Sequence, residues 1–163
     1  MLRRIVIGLV AGTLMAANVF AQTPPAQAAP AQPPAAATPP PATRTFASDG
    51  GMVLNFIKPD KTAEFEAVIG KLKEALAKSE KPGRKEQAKS WKVFKSPDPA
   101  AGGNVLYIFI IDPSVKGADY QISNIITEGF PGAEANDILT KYAAAYATGM
   151  NIVNLNLVQD LGK

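Results

Sequence analysis

The pattern of apolar and polar residues between positions 51 and 158 predicts six secondary-structure elements. Short apolar runs bounded by proline, glycine and aspartate are typical of strands, whereas apolar residues three and four positions apart are typical of an amphipathic helix. The predicted elements are a strand over 52–57, a helix from 60 to about 79, strands over 90–95 and 105–111, a helical region from about 119 to 149 that is interrupted at 130–132, and a strand over 151–158.

The first predicted helix has a continuous apolar face. We expect Asp60 to cap its start, and the Pro-Gly pair at 82–83 stops the chain from continuing as a helix. Glutamates and lysines occupy the side of the helix that faces water. The apolar face consists of Phe65, Val68, Ile69, Leu72 and Leu76.

The predicted strands differ in character, which places them within a sheet. The first and third, MVLNFI and VLYIFII, are apolar at nearly every position, whereas the second carries lysines and the fourth carries asparagines. Strands that are apolar on both faces suit the middle of a sheet, and polar strands suit its edges. The βαββαβ order is typical of the ferredoxin-like sandwich, whose first and third strands are central. The sequence therefore predicts an α+β fold with a four-stranded antiparallel sheet.

Two helices can cover only one face of such a sheet. The other face is apolar whichever way the central strands are turned, because both strands carry apolar residues on both sides. An exposed apolar patch larger than roughly a few hundred Å² typically marks an interface. We therefore predict a homodimer in which two sheets pack face to face. The alternative is a monomer whose alanine-rich second helical region covers both faces.

Element order and strand character over about residues 51–158 resemble the dimeric α/β-barrel superfamily, which includes antibiotic-biosynthesis monooxygenase-like domains and haem-degrading relatives. The resemblance implies two ferredoxin-like sandwiches paired into a barrel, with a cavity between sheet and helices that takes small aromatic substrates or haem. Haem-degrading members combine an asparagine, a tryptophan and an axial histidine. Asn55 and Trp91 match the first two by residue type, but the chain has no histidine. We therefore expect no haem and no other cofactor.

The N-terminus has the three parts of a secretory signal peptide. Arg3 and Arg4 precede an apolar segment over 5–17, and Val-Phe-Ala at 19–21 provides a small-residue cleavage site. We expect cleavage after Ala21. The alternative is an uncleaved membrane helix, but the apolar run is shorter than the roughly 20 residues that a bilayer requires.

The next segment predicts a spacer. Residues 22–43 are only alanine, proline, glutamine and threonine, a composition without core-forming side chains that favours an extended, disordered linker. The predicted organisation is a signal peptide over 1–21, this linker, and one α+β domain over 44–163. Such a protein is exported to the periplasm or the cell exterior and is not inserted in a membrane after cleavage.

Charge and missing residue types narrow the chemistry. Discarding Arg3 and Arg4 from 17 basic residues leaves 15 against 14 acidic ones, so binding to nucleic acid through net charge is not expected. The absence of cysteine and histidine removes disulfides, thiolate nucleophiles and the usual zinc, copper and haem ligands. Several carboxylates can be placed from the pattern, and they lie on the wet side of the first helix (Glu64, Glu66 and Glu74) or in turns (Asp98, Asp112 and Asp119). We therefore predict no catalytic and no metal-binding residues.

Three residues are candidate ligand-binding residues: Asn55, Trp91 and Tyr107. Asn55 places an amide within an apolar strand, where it either meets a ligand or satisfies a bulge or a neighbouring backbone group. Tyr107 carries a hydroxyl on a central strand, and a core tyrosine with its hydroxyl at the periphery is the alternative.

These features favour a non-catalytic, self-associating domain that binds a small apolar or amphipathic molecule or serves as an interaction module. One alternative is a cofactor-free monooxygenase-like enzyme with Asn55, Trp91 and Tyr107 lining the cavity. The other is adhesion to anionic envelope polymers through the basic stretch 81–95, although a solvated basic hairpin is the favoured explanation of that stretch.

Overall fold

The computed structural model describes residues 42–162. The predicted signal peptide, nearly all of the predicted linker and residue 163 lie outside the described residues. Within 42–162, no helix combines the length and the apolar character needed to cross a membrane. The elements are β1 (Gly50–Ile57), α1 (Thr62–Lys78), α2 (Arg84–Ser90), β2 (Trp91–Pro99), β3 (Val105–Ile111), α3 (Ile122–Gly129), α4 (Gly132–Ala145) and β4 (Tyr146–Leu155), with 3-10 turns at Pro59–Lys61 and Ala101–Gly103.

The strands form one four-stranded sheet in the order β2-β3-β1-β4. Every neighbouring pair is antiparallel, and β1 and β3 are the central strands. The α+β class and the antiparallel sheet predicted from the sequence are confirmed. The apolar runs of β1 and β3 therefore occupy the two positions that are flanked by strands on both sides.

The core lies between one face of this sheet and the helices. Buried residues alternate along the central strands, as the two-residue repeat of a strand requires. In β3 these residues are Tyr107, Phe109 and Ile111, and they pack with Phe65 of α1 and Ile126 of α3 in a single cluster. Helix α4 contributes Ala135, Ile138 and Ala145 to the same cluster. The helices thus share one side of the sheet.

The opposite side of the sheet, here called the open face, is also apolar. Met52 lies opposite Ile110, and Leu54 lies opposite Ile108, so the side chains of the two central strands meet on this face. The core cluster contains none of the open-face side chains. The apolar side chains of the open face are Met52, Leu54 and Phe56 of β1, Leu106, Ile108 and Ile110 of β3, Phe94 of β2 and Val153 of β4.

Helix α2 was not predicted, because its inward-facing side chains are polar. Arg84, Gln87 and Ser90 are its buried residues, so it lacks the apolar repeat that marks α1. The residue before it, Gly83, has a φ of 84°, which glycine adopts without strain. The helix leads directly into β2, which is longer than predicted and extends to Pro99 beyond an irregularity in its pairing with β3.

Three expectations about element ends were wrong. Residues 146–149 are strand rather than helix, because Tyr146 already pairs with Ile57 of β1, and β4 ends at Leu155 instead of 158. Asp60 does not cap α1 either. It lies in the 3-10 turn before the helix, and α1 begins after Lys61 without a hydrogen bond from a capping side chain.

Candidate functional site

Asn55 and Tyr107 lie opposite each other on the central strands, on the face that packs against the helices. Asn55 is fully buried. Its Nδ2 donates to the carbonyl of Val53 at 3.2 Å and to the carbonyl of Tyr107 at 3.1 Å. Its Oδ1 accepts a hydrogen bond of 2.8 Å from the Tyr146 hydroxyl. Because a side-chain amide has two N–H donors, both donors of Asn55 are used inside the protein.

The hydrogen bond to Asn55 continues along a pair of tyrosines. The hydroxyls of Tyr146 and Tyr142 are 2.6 Å apart, and their rings meet edge to face. Burial raises the pKa of both hydroxyls above the ordinary tyrosine value. Both tyrosines therefore stay neutral at physiological pH, and neither is suited to act as a base.

The Tyr107 hydroxyl bonds to the exposed side chain of Glu66 and is therefore also occupied. It donates to Oε1 of Glu66 at 2.5 Å, and the Lys95 ammonium donates to the same oxygen at 3.0 Å. Burial, followed by the bond to Glu66, raises the pKa of Tyr107, while the hydrogen bonds from Tyr107 and Lys95 lower the pKa of Glu66. The proton thus stays on the tyrosine and the charge stays on the carboxylate.

Trp91 lies away from the other two candidates. It pairs with Ile111, whereas Tyr107 pairs with Lys95. Trp91 and Lys95 are four residues apart on β2, which corresponds to about 13 Å along a strand. The indole packs edge to face on Phe109 and Tyr120, at ring-centre distances of 5.8 Å and 5.4 Å. The structure brings Asn55 and Tyr107 together but not Trp91.

A groove of about 440 Å³ runs between α1, α2 and β2 on the helix-packed side of the sheet. Here it is called the α1–β2 groove. It opens where the helix layer stops short of the edge strand, which leaves Val93 38% exposed although its side chain lies on the core side. The groove is lined by Ile69, Leu72, Lys73, Leu76 and Ala77 of α1, Ala88 of α2, and Trp91 and Val93 of β2.

Two polar features stand out in this apolar lining. Among the described residues, Lys73 is the only charged one that lines the groove, and no carboxylate pairs with it. The indole Nε1 of Trp91 is buried and has no hydrogen-bond partner among the described residues. An unpaired buried N–H costs about 1–3 kcal/mol.

Sequence reasoning missed this groove because it treated Ile69, Leu72 and Leu76 only as core residues. Leu72 and Leu76 are indeed buried, but their flank toward β2 also forms the groove wall. The apolar spacing along α1 was the available signal. It gives no information on how far the helix stands from the edge strand.

The basic stretch 81–95 is less basic in space than in sequence. Of its six cations, Arg84 and Lys81 both pair with Glu128, while Lys89 pairs with Glu86 and Lys95 pairs with Glu66. Arg84 is moreover buried rather than solvated. The two remaining cations are Lys85 and Lys92.

Within residues 42–162, no group of three metal-ligating side chains is placed to hold a metal ion. Comparison with protein-family models, with curated proteins and with solved structures gives no match. The arguments about function therefore start from the geometry of the open face and of the α1–β2 groove.

Proposed function

We propose that this chain is a non-catalytic, self-associating domain that binds a small apolar or amphipathic molecule, and that two copies pack through their open faces. The observation that carries the proposal is the apolar character of that face. It presents eight large apolar side chains that the core cluster of the same chain does not contain.

The size of the open face supports this role. Four strands spaced about 4.8 Å apart and seven residues rising about 3.3 Å each give a surface of roughly 19 by 23 Å. This footprint is comparable with the largest apolar patches on ordinary monomers, even before side-chain relief is counted, and patches of that size are commonly interfaces. Phe94 remains 52% exposed and Val153 remains 37% exposed on this face.

The strand order supports a symmetric arrangement. The proposal includes a ferredoxin-like sandwich whose sheet meets that of a second copy in a dimeric α/β barrel. An isologous dimer needs one self-complementary patch, and the central strands β1 and β3 supply an uninterrupted apolar centre for it. Polar residues stand toward the margins, with Lys92 on β2 and Asn151 on β4. That distribution resembles the apolar core and polar rim of protein interfaces.

A catalytic role draws no support from the geometry. The donors of Asn55 are already bonded to backbone carbonyls, and the Tyr107 hydroxyl is bonded to Glu66. Trp91 belongs to a different part of the sheet. The pairing of most cations in 81–95 likewise gives adhesion to anionic polymers no specific support.

Sedimentation of the full chain at micromolar concentration tests the dimer. We expect a particle of twice the mass of the chain, and we expect Ile108→Lys to convert it to a monomer because the ammonium would be buried between two sheets. Ala133→Lys on the exposed side of α4 adds the same charge away from the open face and should remain dimeric. A wild-type protein that sediments as a compact monomer would overturn the proposal.

The proposal also includes export with removal of residues 1–21. N-terminal sequencing of the protein isolated from the host is expected to begin at Gln22. A mature protein that begins at Met1 would contradict this part of the proposal and would leave the dimer argument untouched, because the open face belongs to residues 42–162.

A further inference from the structure

We propose that the α1–β2 groove binds a single-chain amphiphile with an anionic head group, such as a long-chain fatty carboxylate. The apolar chain lies between α1 and β2, and the head group meets Lys73. This inference deepens the ligand-binding part of the proposed function, on which it rests. It does not depend on the sheet-to-sheet dimer, because the groove lies on the opposite side of the sheet.

The walls of the groove suit an alkyl chain. Ile69, Leu72 and Leu76 of α1 follow one helix face, opposite Trp91 and Val93 on β2. The volume of about 440 Å³ falls within the range of small-molecule sites, which is roughly 300–1,000 Å³. Since β2 is an edge strand and its Val93 is 38% exposed, an extended molecule can enter the groove from the side of β2.

The charge in the groove favours an anion. Lys73 is exposed and lacks a described carboxylate partner, although neighbouring Lys71 and Lys78 both pair with Glu74. No acidic residue within 42–162 lines the groove. An ammonium at the rim of an otherwise apolar cleft matches an anionic head on an apolar tail, which places its charge at the water boundary.

The lining argues against more polar ligands. A sugar or a nucleotide needs several convergent hydrogen-bonding groups, because a bound molecule loses those that water gave it. Apart from Lys73 and the indole of Trp91, every described side chain that lines the groove is aliphatic. An alkyl chain requires no hydrogen bonds and fits that composition.

Trp91 makes the test direct. It is the only tryptophan of the chain, and it forms part of the groove wall. The probe is dodecanoate, added to the full chain below its micelle concentration while tryptophan fluorescence is recorded. We expect a saturable change in emission. Dodecyltrimethylammonium, with the same tail and a cationic head, is expected to bind more weakly, and dodecylphosphate separates a general anion from a carboxylate-specific site.

Two variants locate the site and the charge. Ala77→Phe places a ring in the groove and is expected to abolish binding, whereas Ala67→Phe on the exposed part of α1 outside the groove serves as the matched control. Lys73→Met is expected to weaken dodecanoate binding about threefold to fivefold, as an exposed charge pair does. The same variant should leave the binding of dodecanol unchanged, because that molecule has the tail without the charge.

Three outcomes would overturn the inference. They are a dodecanoate titration without saturation, equal binding of the cationic amphiphile, and full binding of dodecanoate by Ala77→Phe. Sedimentation of the same samples separates this inference from the proposed function. A dimer that binds no amphiphile removes the inference alone, whereas a monomer that binds dodecanoate in the groove removes the dimer alone.

Discussion

The hydroxyl of Tyr146 donates a 2.8 Å hydrogen bond to Oδ1 of Asn55, and this bond lies where β4 departs from regular pairing with β1. Asn55 pairs with Met150, but Ile57, two residues further along β1, pairs with Tyr146, four residues back along β4. The extra residues on β4 form a bulge. The side-chain bond spans this bulge and ties the edge strand to the central strand.

Tyr146→Phe is therefore expected to lower the free energy of unfolding by about 1–3 kcal/mol, because Oδ1 of Asn55 would remain buried without its donor. Urea denaturation followed by circular dichroism measures the change. In a double-mutant cycle with Asn55→Leu, the second substitution should cost clearly less than it does in the wild-type protein, since the unpaired group has been removed. Strictly additive losses would show that the two side chains do not act together.

Gly129 lies where α3 crosses α1 at close range. A Cβ atom on Gly129 would stand 2.6 Å from the Cβ atom of Ala75 and 2.9 Å from its Cα atom. Gly129→Ala is expected to destabilise the protein by about 1–3 kcal/mol, because the helices would have to move apart. Thermal unfolding measures the loss.

Gly70 provides the matched control in the interior of α1. Apart from its chain neighbours and the backbone of α1 itself, no described atom lies within 4 Å of a Cβ atom placed at Gly70. Gly70→Ala should therefore stabilise the protein by about 0.5–1 kcal/mol through helix propensity. Equal effects at Gly70 and Gly129 would mean that the contact with Ala75 does not restrict α3.

The secondary-structure elements could be predicted from the sequence where a local pattern of side chains defines them. β3 could be predicted to the residue because seven successive apolar side chains have one simple explanation in this context, a buried strand. α2 could not, because Arg84 and Gln87 are buried through hydrogen bonds to Glu128 and Asp119, which are distant in sequence. The start of β4 depends on its pairing with Ile57, which no local preference of 146–149 encodes.

The same limit applied to the candidate residues. The sequence indicated that Asn55 would be buried, and it is, but its partner Tyr146 is 91 residues away. Trp91 was grouped with Asn55 by residue type alone, whereas the register places it beside Ile111. The groove that Trp91 lines depends on the spacing between α1 and β2, a tertiary quantity without a sequence signal.

Asp119 is expected to make stability sensitive to acid. Burial on its own would raise the pKa of this carboxyl, but hydrogen bonds from the backbone N–H groups of Arg44 and Gln121 and from Nδ2 of Asn124 outweigh burial and lower the pKa. A lowered pKa in the folded state contributes stability above the unfolded pKa of about 3.9, and that contribution is lost as the pH falls toward the folded value.

Asp119→Asn should accordingly be less stable than the wild-type protein at pH 7 and should lose less stability than the wild type below about pH 4. Urea denaturation at a series of pH values provides both curves. Parallel curves for the two proteins would show that the hydrogen bonds to Asp119 do not lower its pKa in the folded state relative to its pKa in the unfolded chain.

Glu128 forms ion pairs with two cations that differ in burial. It therefore allows the contribution of a buried ion pair to be compared with that of an exposed one. Nε and Nη2 of Arg84 bond to its two carboxylate oxygens at 3.0 Å and 2.8 Å, and the Arg84 side chain is 6% exposed. The Lys81 ammonium lies 2.6 Å from the same carboxylate, but its side chain is 62% exposed.

Arg84→Lys is expected to lower the free energy of unfolding by about 2–3 kcal/mol. An ammonium cannot reproduce the bidentate bond to Glu128, and Oε1 of Gln87 loses the hydrogen bond that Nη1 of Arg84 donates. Lys81→Met should cost less than about 1 kcal/mol, since solvent screens that pair. Chemical denaturation of both variants measures the contrast. Losses of similar size would mean that burial of the Arg84 guanidinium adds nothing to its pairing with Glu128.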